Sequence, residues 1–192
     1  TLAYQRVVDL MDDGLMAPYV VLSDTKGTDL FLSGKGAILF VGSWKSSVLE
    51  NSSLGVNKKI RLITMPNQEA GNTSVLGGLG YVISAFTKDK EGAWDAVKFI
   101  TGEVGNRIQA EEGIDIPALK KAQATYLANF KNINIDAFFK AAENAVPFPA
   151  GPDLVRWIGI IGDRAAEIFG GRITAEAGTA AIYKEMQAIL DK

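Results

Sequence analysis

Carboxylates, amines and aromatic rings are the side chains of this 192-residue sequence that could do chemistry, because it contains neither histidine nor cysteine. Ser-His-Asp and Cys-His catalysis, thiol redox chemistry and a structural zinc site with nitrogen or sulfur ligands are therefore excluded. The pairs Asp12-Asp13 and Glu111-Glu112 could share acid–base work on a glycosidic bond. Adjacent helical residues point about 100° apart and cannot flank one bond, so both pairs indicate solvated helix ends.

Two glycine-rich segments match nucleotide-binding loops only in part. Gly78 and Gly80 supply the first two glycines of a dinucleotide fingerprint, but Ile83 stands where the third belongs. The segment Ser33-Gly34-Lys35-Gly36 lacks both the Ser or Thr after the lysine and the earlier glycine of a phosphate-binding loop. With 22 acidic against 20 basic residues, the chain also lacks the basic excess of a nucleic-acid binder. We therefore expect neither a nucleotide nor a nucleic acid as partner.

The elements that position these residues are those of a mixed α/β protein, with 47% hydrophobic and 22% charged residues to support a core. Apolar spacing of the helical period predicts a first helix closed near Gly14, one capped by Asp89, a short one that stops near Gly113 and a last one capped by Thr174. Further helices are predicted over 117–130, 134–145 and 154–169.

Continuous or alternating apolar runs predict three strands, at 37–41, 59–65 and 79–86. Residues 70–87 form the longest uncharged run, but four glycines within it favour loop, turn and strand over a membrane span. Just after the first predicted strand, Ser43 is expected to cap a helix through Val48 and Leu49. Trp44 would then lie where an aromatic ring and free backbone N–H groups can meet one ligand.

The order of several motifs resembles the C-terminal half of bacterial extracellular solute-binding proteins of ABC sugar importers, the maltose-binding-protein-like family 1. The motifs span nearly the entire chain: Phe31-Leu32-Ser33-Gly34-Lys35-Gly36-Ala37-Ile38, Gly42-Ser43-Trp44, Gly77-Gly78-Leu79-Gly80-Tyr81-Val82-Ile83-Ser84, the segment 88–100, Gly113-Ile114-Asp115-Ile116-Pro117-Ala118 and Gly170-Gly171-Arg172-Ile173-Thr174-Ala175-Glu176-Ala177.

This resemblance implies a periplasmic-binding-protein-like (type II) clamshell, in which two α/β lobes close around a ligand. Residues 1–82 and 129–192 would form the C-terminal lobe. Residues 83–128 would hold a hinge crossing and helices that pack on an N-terminal lobe, and residues 85–128 should expose apolar surface here. Because full-length members are about twice this size, the resemblance also implies a truncated chain without most of that lobe, a signal peptide or a lipid-attachment cysteine.

The candidate ligand-binding residues suit a sugar, which offers an apolar C–H face and a ring of hydroxyls to an aromatic plate and a few polar groups. Trp44 is the first candidate, and Gly77 and Gly78 follow because absent side chains let a ligand come close. The spacing of Trp157 indicates the flank of a core, whereas the resemblance implies that it stacks on sugar; Arg156 beside it is either a ligand contact or solvated. Tyr81 is a weaker candidate, and Trp94 is expected in a core or between lobes.

We therefore expect a protein that binds a sugar, specifically an oligosaccharide, and delivers it to the membrane permease subunits of an ABC importer. It would act outside the cytoplasmic membrane, in a periplasm or as a cell-surface lipoprotein of a Gram-positive bacterium, without catalysis, metal or other cofactor. Three alternatives stay open: a binder of a polyamine, phosphate ester or metal chelate, an Asp/Glu-dependent carbohydrate-active enzyme, and a structural interaction domain.

Overall fold

The computed structural model of the protein describes residues 1–66 and 74–191. These residues form two compact units, one built from Thr1–Ala37 together with Pro149 onward, the other from Ile38–Phe148. The chain thus changes unit after Ala37 and again after Phe148. The lobe boundaries expected at 82/83 and 128/129 stay a prediction. Residues 70–73 of the long uncharged run lie outside the described residues.

The described residues are mostly helical. In chain order the elements are α1 (Leu2–Asp12), α2 (Tyr19–Asp24), α3 (Gly27–Leu32), a 3₁₀ turn (Ser43–Lys45), α4 (Ser46–Glu50), α5 (Ser53–Val56), β1 (Val75–Leu76), α6 (Lys90–Thr101), α7 (Glu103–Glu111), α8 (Lys120–Ala128), α9 (Asp136–Ala142), β2 (Val146–Pro147), α10 (Leu154–Phe169) and α11 (Ala175–Leu190). The two strands pair in parallel, with Val75 opposite Val146. Within these ranges, no helix combines the length and the apolar character that a membrane crossing requires.

The helix ends carry the local signals that the sequence predicts. The side chains of Asp89 and Thr174 accept backbone N–H groups at the starts of α6 and α11. Gly14 follows α1 with a φ of +70°. Its N–H donates to the carbonyl of Met11, and the next N–H donates to the carbonyl of Leu10, which together make a Schellman motif. These predicted helix boundaries are confirmed.

The core of the first unit lies where α10 packs on α11, with α1 alongside. Ile168 is 2% exposed, and a Cβ at Gly178 would collide with its side chain, so the glycine allows the two helices to approach closely. The rings of Tyr4 and Tyr19 lie 5.7 and 6.4 Å from that of Phe169. These contacts close the unit around the C-terminal half of α10.

The core of the second unit forms around Leu49 of α4, which is 1% exposed, and Tyr126 of α8, which is fully buried. Buried Asn106 of α7 connects three segments: its amide nitrogen donates to the carbonyls of Thr101 and Gly102, and its oxygen accepts the N–H of Leu119. Such side-chain amides satisfy backbone groups that the short helices leave without partners. The second unit therefore depends on polar connections as well as on apolar packing.

The three predicted strands are not formed in the described residues. Ile38 is 77% exposed, and Leu79 and Val82 are 95% and 92% exposed. In 59–65 the backbone N–H and carbonyl of Leu62 bond to the side-chain amide of Asn134, both at 2.8 Å, instead of to a neighbouring strand. An apolar run becomes a strand only where another strand supplies backbone partners, and the described residues offer none to these three runs.

Exposed apolar side chains are also frequent on α6 and α7, as predicted for 85–128. Phe99 of α6 and Ile108 of α7 are 57% and 43% exposed, and Phe86 in the loop before α6 is 94% exposed. Trp94 is 50% exposed, so it is not a core residue of its own unit, and a place between lobes stays a prediction. Its ring lies 6.0 Å from the ammonium group of Lys98 on the same helix.

Candidate functional site

Trp44 is presented as an exposed aromatic plate on the 3₁₀ turn of the second unit. Gly42 before it is extended, with φ −98° and ψ 174°. The indole lies directly over this glycine, where any Cβ would collide with the ring. The Trp44 residue is nevertheless 67% exposed. One part of the ring is thus held against the backbone while most of it can meet a ligand.

The turn that carries Trp44 is fixed by hydroxyl and carboxylate groups. Ser43 was expected to cap the following helix, but its hydroxyl instead donates to Asp115 Oδ1 at 3.1 Å. The hydroxyl of Ser46, a fully buried residue, donates to the carbonyl oxygen of Ser43 at 2.6 Å. Asp115 Oδ1 also accepts the N–H of Ile116 at 2.8 Å. Asp115 belongs to one of the motifs of the resemblance, but it was not predicted to belong to the site.

Tyr126 lies close to Ser46 and Asp115 of this network. Its hydroxyl is buried and has no hydrogen-bond partner among the described residues. Burial raises the pKa of Tyr126 above its usual value, the nearby Ser46 hydroxyl opposes that shift, and the negative charge of Asp115 adds to it. Burial is the larger effect, so the phenol beside this polar network stays neutral.

Gly77, Gly78 and Tyr81 follow β1 in the same unit. The N–H groups of Val146 and Phe148 donate to the carbonyls of Ser74 and Leu76, at 2.9 and 3.1 Å, so this segment starts from a paired strand. No atom lies within 4 Å of a Cβ built on Gly77 or Gly78, and neither has a positive φ. Tyr81 is 59% exposed. The structure leaves space beside these residues, and their contact with a ligand stays a prediction.

Arg156 and Trp157 lie in the first turn of α10, in the other unit. The guanidinium of Arg156 donates to Asp153 Oδ1 at 2.9 Å, and its side chain is 54% exposed. A Cβ at Gly151 would lie 3.1 Å from the Trp157 ring, so the indole packs against this part of the proline-rich loop. Its Nε1 is buried without a hydrogen-bond partner in the described ranges. Trp157 is thus half-buried, and Arg156 already has one anionic neighbour.

The acidic side chains form no metal-binding group where the structure describes them. Across residues 1–66 and 74–191 no group of three carboxylates is placed to hold a metal ion. Glu111 accepts a hydrogen bond from Arg107 at 2.9 Å on the exposed face of α7. The candidate site residues divide between the units: Trp44, Gly77, Gly78 and Tyr81 lie in the second, and Arg156 and Trp157 in the first.

A family model described as bacterial extracellular solute-binding protein matches residues 3–142. The chain belongs to this family. Among its relatives, the galactooligosaccharide-binding protein of Bacillus subtilis (strain 168) is 30% identical over 91 residues, which are 47% of this chain and 21% of that protein. The maltodextrin-binding protein of the same strain is 28% identical over 131 residues, 68% of this chain and 31% of the relative.

Solved structures of solute-binding proteins share the fold. An ABC substrate-binding protein from Listeria monocytogenes, in complex with cycloalternan, superposes with a TM-score of 0.74 at 19% identity. The superposition covers 95% of this chain and 47% of the Listeria protein. A sugar transporter protein from Rhizobium etli in an open conformation superposes with a TM-score of 0.67 at 17% identity. The superposition covers 96% of this chain and 50% of the Rhizobium protein. The chain therefore spans about half of the solved proteins. The predicted family and the predicted binding-protein fold are confirmed.

Proposed function

We propose that this solute-binding protein binds an oligosaccharide and that Trp44 is a stacking surface for it. The observation that carries the proposal is the exposed indole held on Gly42. An aromatic face of this kind suits the C–H face of a pyranose, because the contact is apolar and directional without a formal charge. Two relatives are named for binding galactooligosaccharide and maltodextrin, and one solved neighbour is in complex with cycloalternan.

The remaining candidate residues are proposed as further ligand contacts. Trp157 offers a second indole, and Arg156 offers guanidinium donors for ligand hydroxyls once its exposed pair with Asp153 opens, which costs little. Gly77 and Gly78 leave room for a ligand beside the backbone, and Tyr81 offers an exposed phenol. Residues 1–82 and 129–192 would form one lobe, and residues 83–128 a hinge crossing and the helices that pack on the opposite lobe.

The proposed mechanism is hinge closure. Ligand contacts that exist only in the closed state shift the open–closed equilibrium toward it, by as much as the difference in affinity between the two states. The membrane permease subunits of an ABC importer would recognise the closed protein. Such a binder acts outside the cytoplasmic membrane, in the periplasm or on a lipid anchor, and carries out no covalent chemistry on its ligand.

Isothermal titration calorimetry with maltotriose, a galactooligosaccharide and cycloalternan tests the proposal in the protein that the full gene encodes. Replacing Trp44 with alanine removes an aromatic contact of about 1.5–3 kcal/mol. Trp44→Ala should therefore lower the affinity for the bound sugar roughly tenfold to hundredfold. Tyr183→Ala is the control, since this aromatic residue of α11 is 71% exposed and lies outside the candidate ligand contacts.

Equal affinity of Trp44→Ala and the parent protein would overturn the role of Trp44. Binding of none of the three sugars would count against an oligosaccharide ligand. Turnover of chromogenic glycosides by the purified protein would instead support the enzyme alternative, because a binding protein releases its ligand unchanged.

A further inference from the structure

We propose that Asp115 is a positioning residue for Trp44, acting through Ser43. This inference rests on the proposed role of Trp44 in ligand binding. Asp115 lies 72 positions along the chain from Ser43, yet its carboxylate accepts the Ser43 hydroxyl at 3.1 Å. The link joins the loop after α7 to the turn that presents the indole.

The need for such a link follows from the exposure of Trp44. A buried ring is oriented by the side chains packed around it, whereas an indole that is 67% exposed has few such neighbours. Its direction must therefore come from the backbone that carries it. The Ser46 hydroxyl fixes the carbonyl of Ser43 from within the turn, and Asp115 fixes the side chain of the same serine from outside it.

Asp115 is itself well anchored. Its Oδ1 accepts the next backbone N–H, that of Ile116, at 2.8 Å. Two residues before it, buried Gly113 closes α7 with a φ of +61°, and two residues after it Pro117 is fully buried. A carboxylate on a loop fixed at both sides can hold a distant turn, because little freedom is left for the pair to move together.

The direct test measures sugar affinity in Ser43→Ala, Asp115→Ala, the double variant and Asp115→Asn. Loss of the link should lower the affinity for the sugar that binds the parent protein roughly tenfold in each single alanine variant. The double variant should be no weaker than either single, since both remove the same link. Asp115→Asn keeps an acceptor oxygen and should recover affinity to within about threefold of the parent.

A spectroscopic readout follows the orientation of Trp44 without any ligand. When Trp94, Trp157 and any tryptophan outside these 192 residues are replaced by phenylalanine, excitation at the red edge of tryptophan absorption reports Trp44 alone. Ser43→Ala and Asp115→Ala should both lower its anisotropy and raise its quenching by acrylamide. Asp136→Ala is the matched control, since Asp136 is an exposed carboxylate of the same unit paired with Lys140, and it should change neither property.

Unchanged anisotropy together with affinity within twofold in Ser43→Ala and Asp115→Ala would overturn the inference. A loss of affinity in Asp115→Ala but not in Ser43→Ala would also overturn it, because Asp115 would then contact the ligand itself. If Trp44→Ala leaves affinity unchanged, the proposed function of Trp44 fails, while the anisotropy of Trp44 still decides whether Asp115 positions it.

Discussion

Glu50 at the end of α4 binds three successive backbone N–H groups with one buried carboxylate. The residue is 6% exposed. Its Oε1 accepts the N–H of Lys131 at 2.8 Å and that of Asn132 at 2.9 Å. Its Oε2 accepts the same Asn132 N–H at 3.1 Å and that of Ile133 at 3.0 Å. We predict that Glu50→Gln destabilises the second unit although it keeps the size and shape of the side chain.

The expected magnitude follows from the number of acceptor oxygens. The glutamine amide has one oxygen, so it can serve two of the three N–H groups while its NH₂ group faces the third. The two surviving bonds lose their charge, at about 1 kcal/mol each, and the unpaired N–H costs about 1–3 kcal/mol. Burying a neutral amide in place of a carboxylate recovers part of this loss. The net destabilisation should be about 2–3 kcal/mol.

Urea denaturation followed by circular dichroism measures the change, with an expected fall in midpoint of about 1–1.5 M for a slope near 2 kcal/mol/M. Hydrogen exchange should lose protection first at the amides of Lys131, Asn132 and Ile133. Glu111→Gln is the control, because that carboxylate is exposed and paired with Arg107, and should change stability by less than about 0.5 kcal/mol. A Glu50→Gln change as small as this would refute the reasoning, since desolvation of the carboxylate would then offset its hydrogen bonds.

Two further substitutions test the buried parts of the two units. Tyr126→Phe removes a buried hydroxyl without a partner in the described residues and should stabilise by about 1 kcal/mol. The pKa of Tyr126 in the folded protein is raised above 10.0, so ionisation of this phenol favours the unfolded chain and lowers the free energy of unfolding as pH rises beyond 10. Unfolding curves at pH 8 and about 11 should show this part of the loss in the parent but not in the variant. Gly178→Ala places a methyl group against Ile168 and should lower stability by about 1–3 kcal/mol. Gly159→Ala on the neighbouring helix meets no atom within 4 Å and should instead raise stability by about 0.5–1 kcal/mol; equal melting temperatures for these two variants would contradict the packing argument.

The longer helices could be predicted from the sequence because their signals are local, whereas the short helices α2, α3 and α5 were not predicted. Asp89 and Thr174 stand at the first turns that they cap, and Gly14 and Gly171 provide the positive φ at the ends of α1 and α10. One such end had no signal: Lys58 closes α5 with a φ of +55°, a conformation usually left to glycine or asparagine. A helix end can thus form without its usual residue when the surrounding chain requires it.

The strands could not be predicted because their partners are not local. The apolar run 59–65 keeps the alternation of a strand, with Ile60 buried and Ile63 76% exposed. Its central residue nevertheless bonds to the side chain of Asn134, 72 positions away. No pattern within this run can show whether its backbone groups will bond to a side-chain amide or to a neighbouring strand.

The same limit applies to the candidate site. Trp44 was predicted from its place after an apolar run and from the resemblance, which includes Gly42-Ser43-Trp44. The indole is exposed, and its contact with a ligand stays a prediction. Asp115 has no such signal: a single aspartate in a loop is ordinarily solvated. Its relation to Ser43 exists only after the chain has folded.

The segment from Ser43 to Glu50 is held at both ends by carboxylates, in addition to the apolar packing of Leu49. At its start Ser43 bonds to Asp115, and at its end Glu50 receives the N–H groups of residues 131–133. Between them Ser46 and Leu49 are buried while Trp44 is exposed. For the proposed ligand contact at Trp44, a segment fixed in this way would lose little conformational freedom on binding, so more of the stacking energy would be expressed as affinity. Weakening either end should therefore reduce affinity through a less ordered indole, although neither carboxylate need touch the ligand.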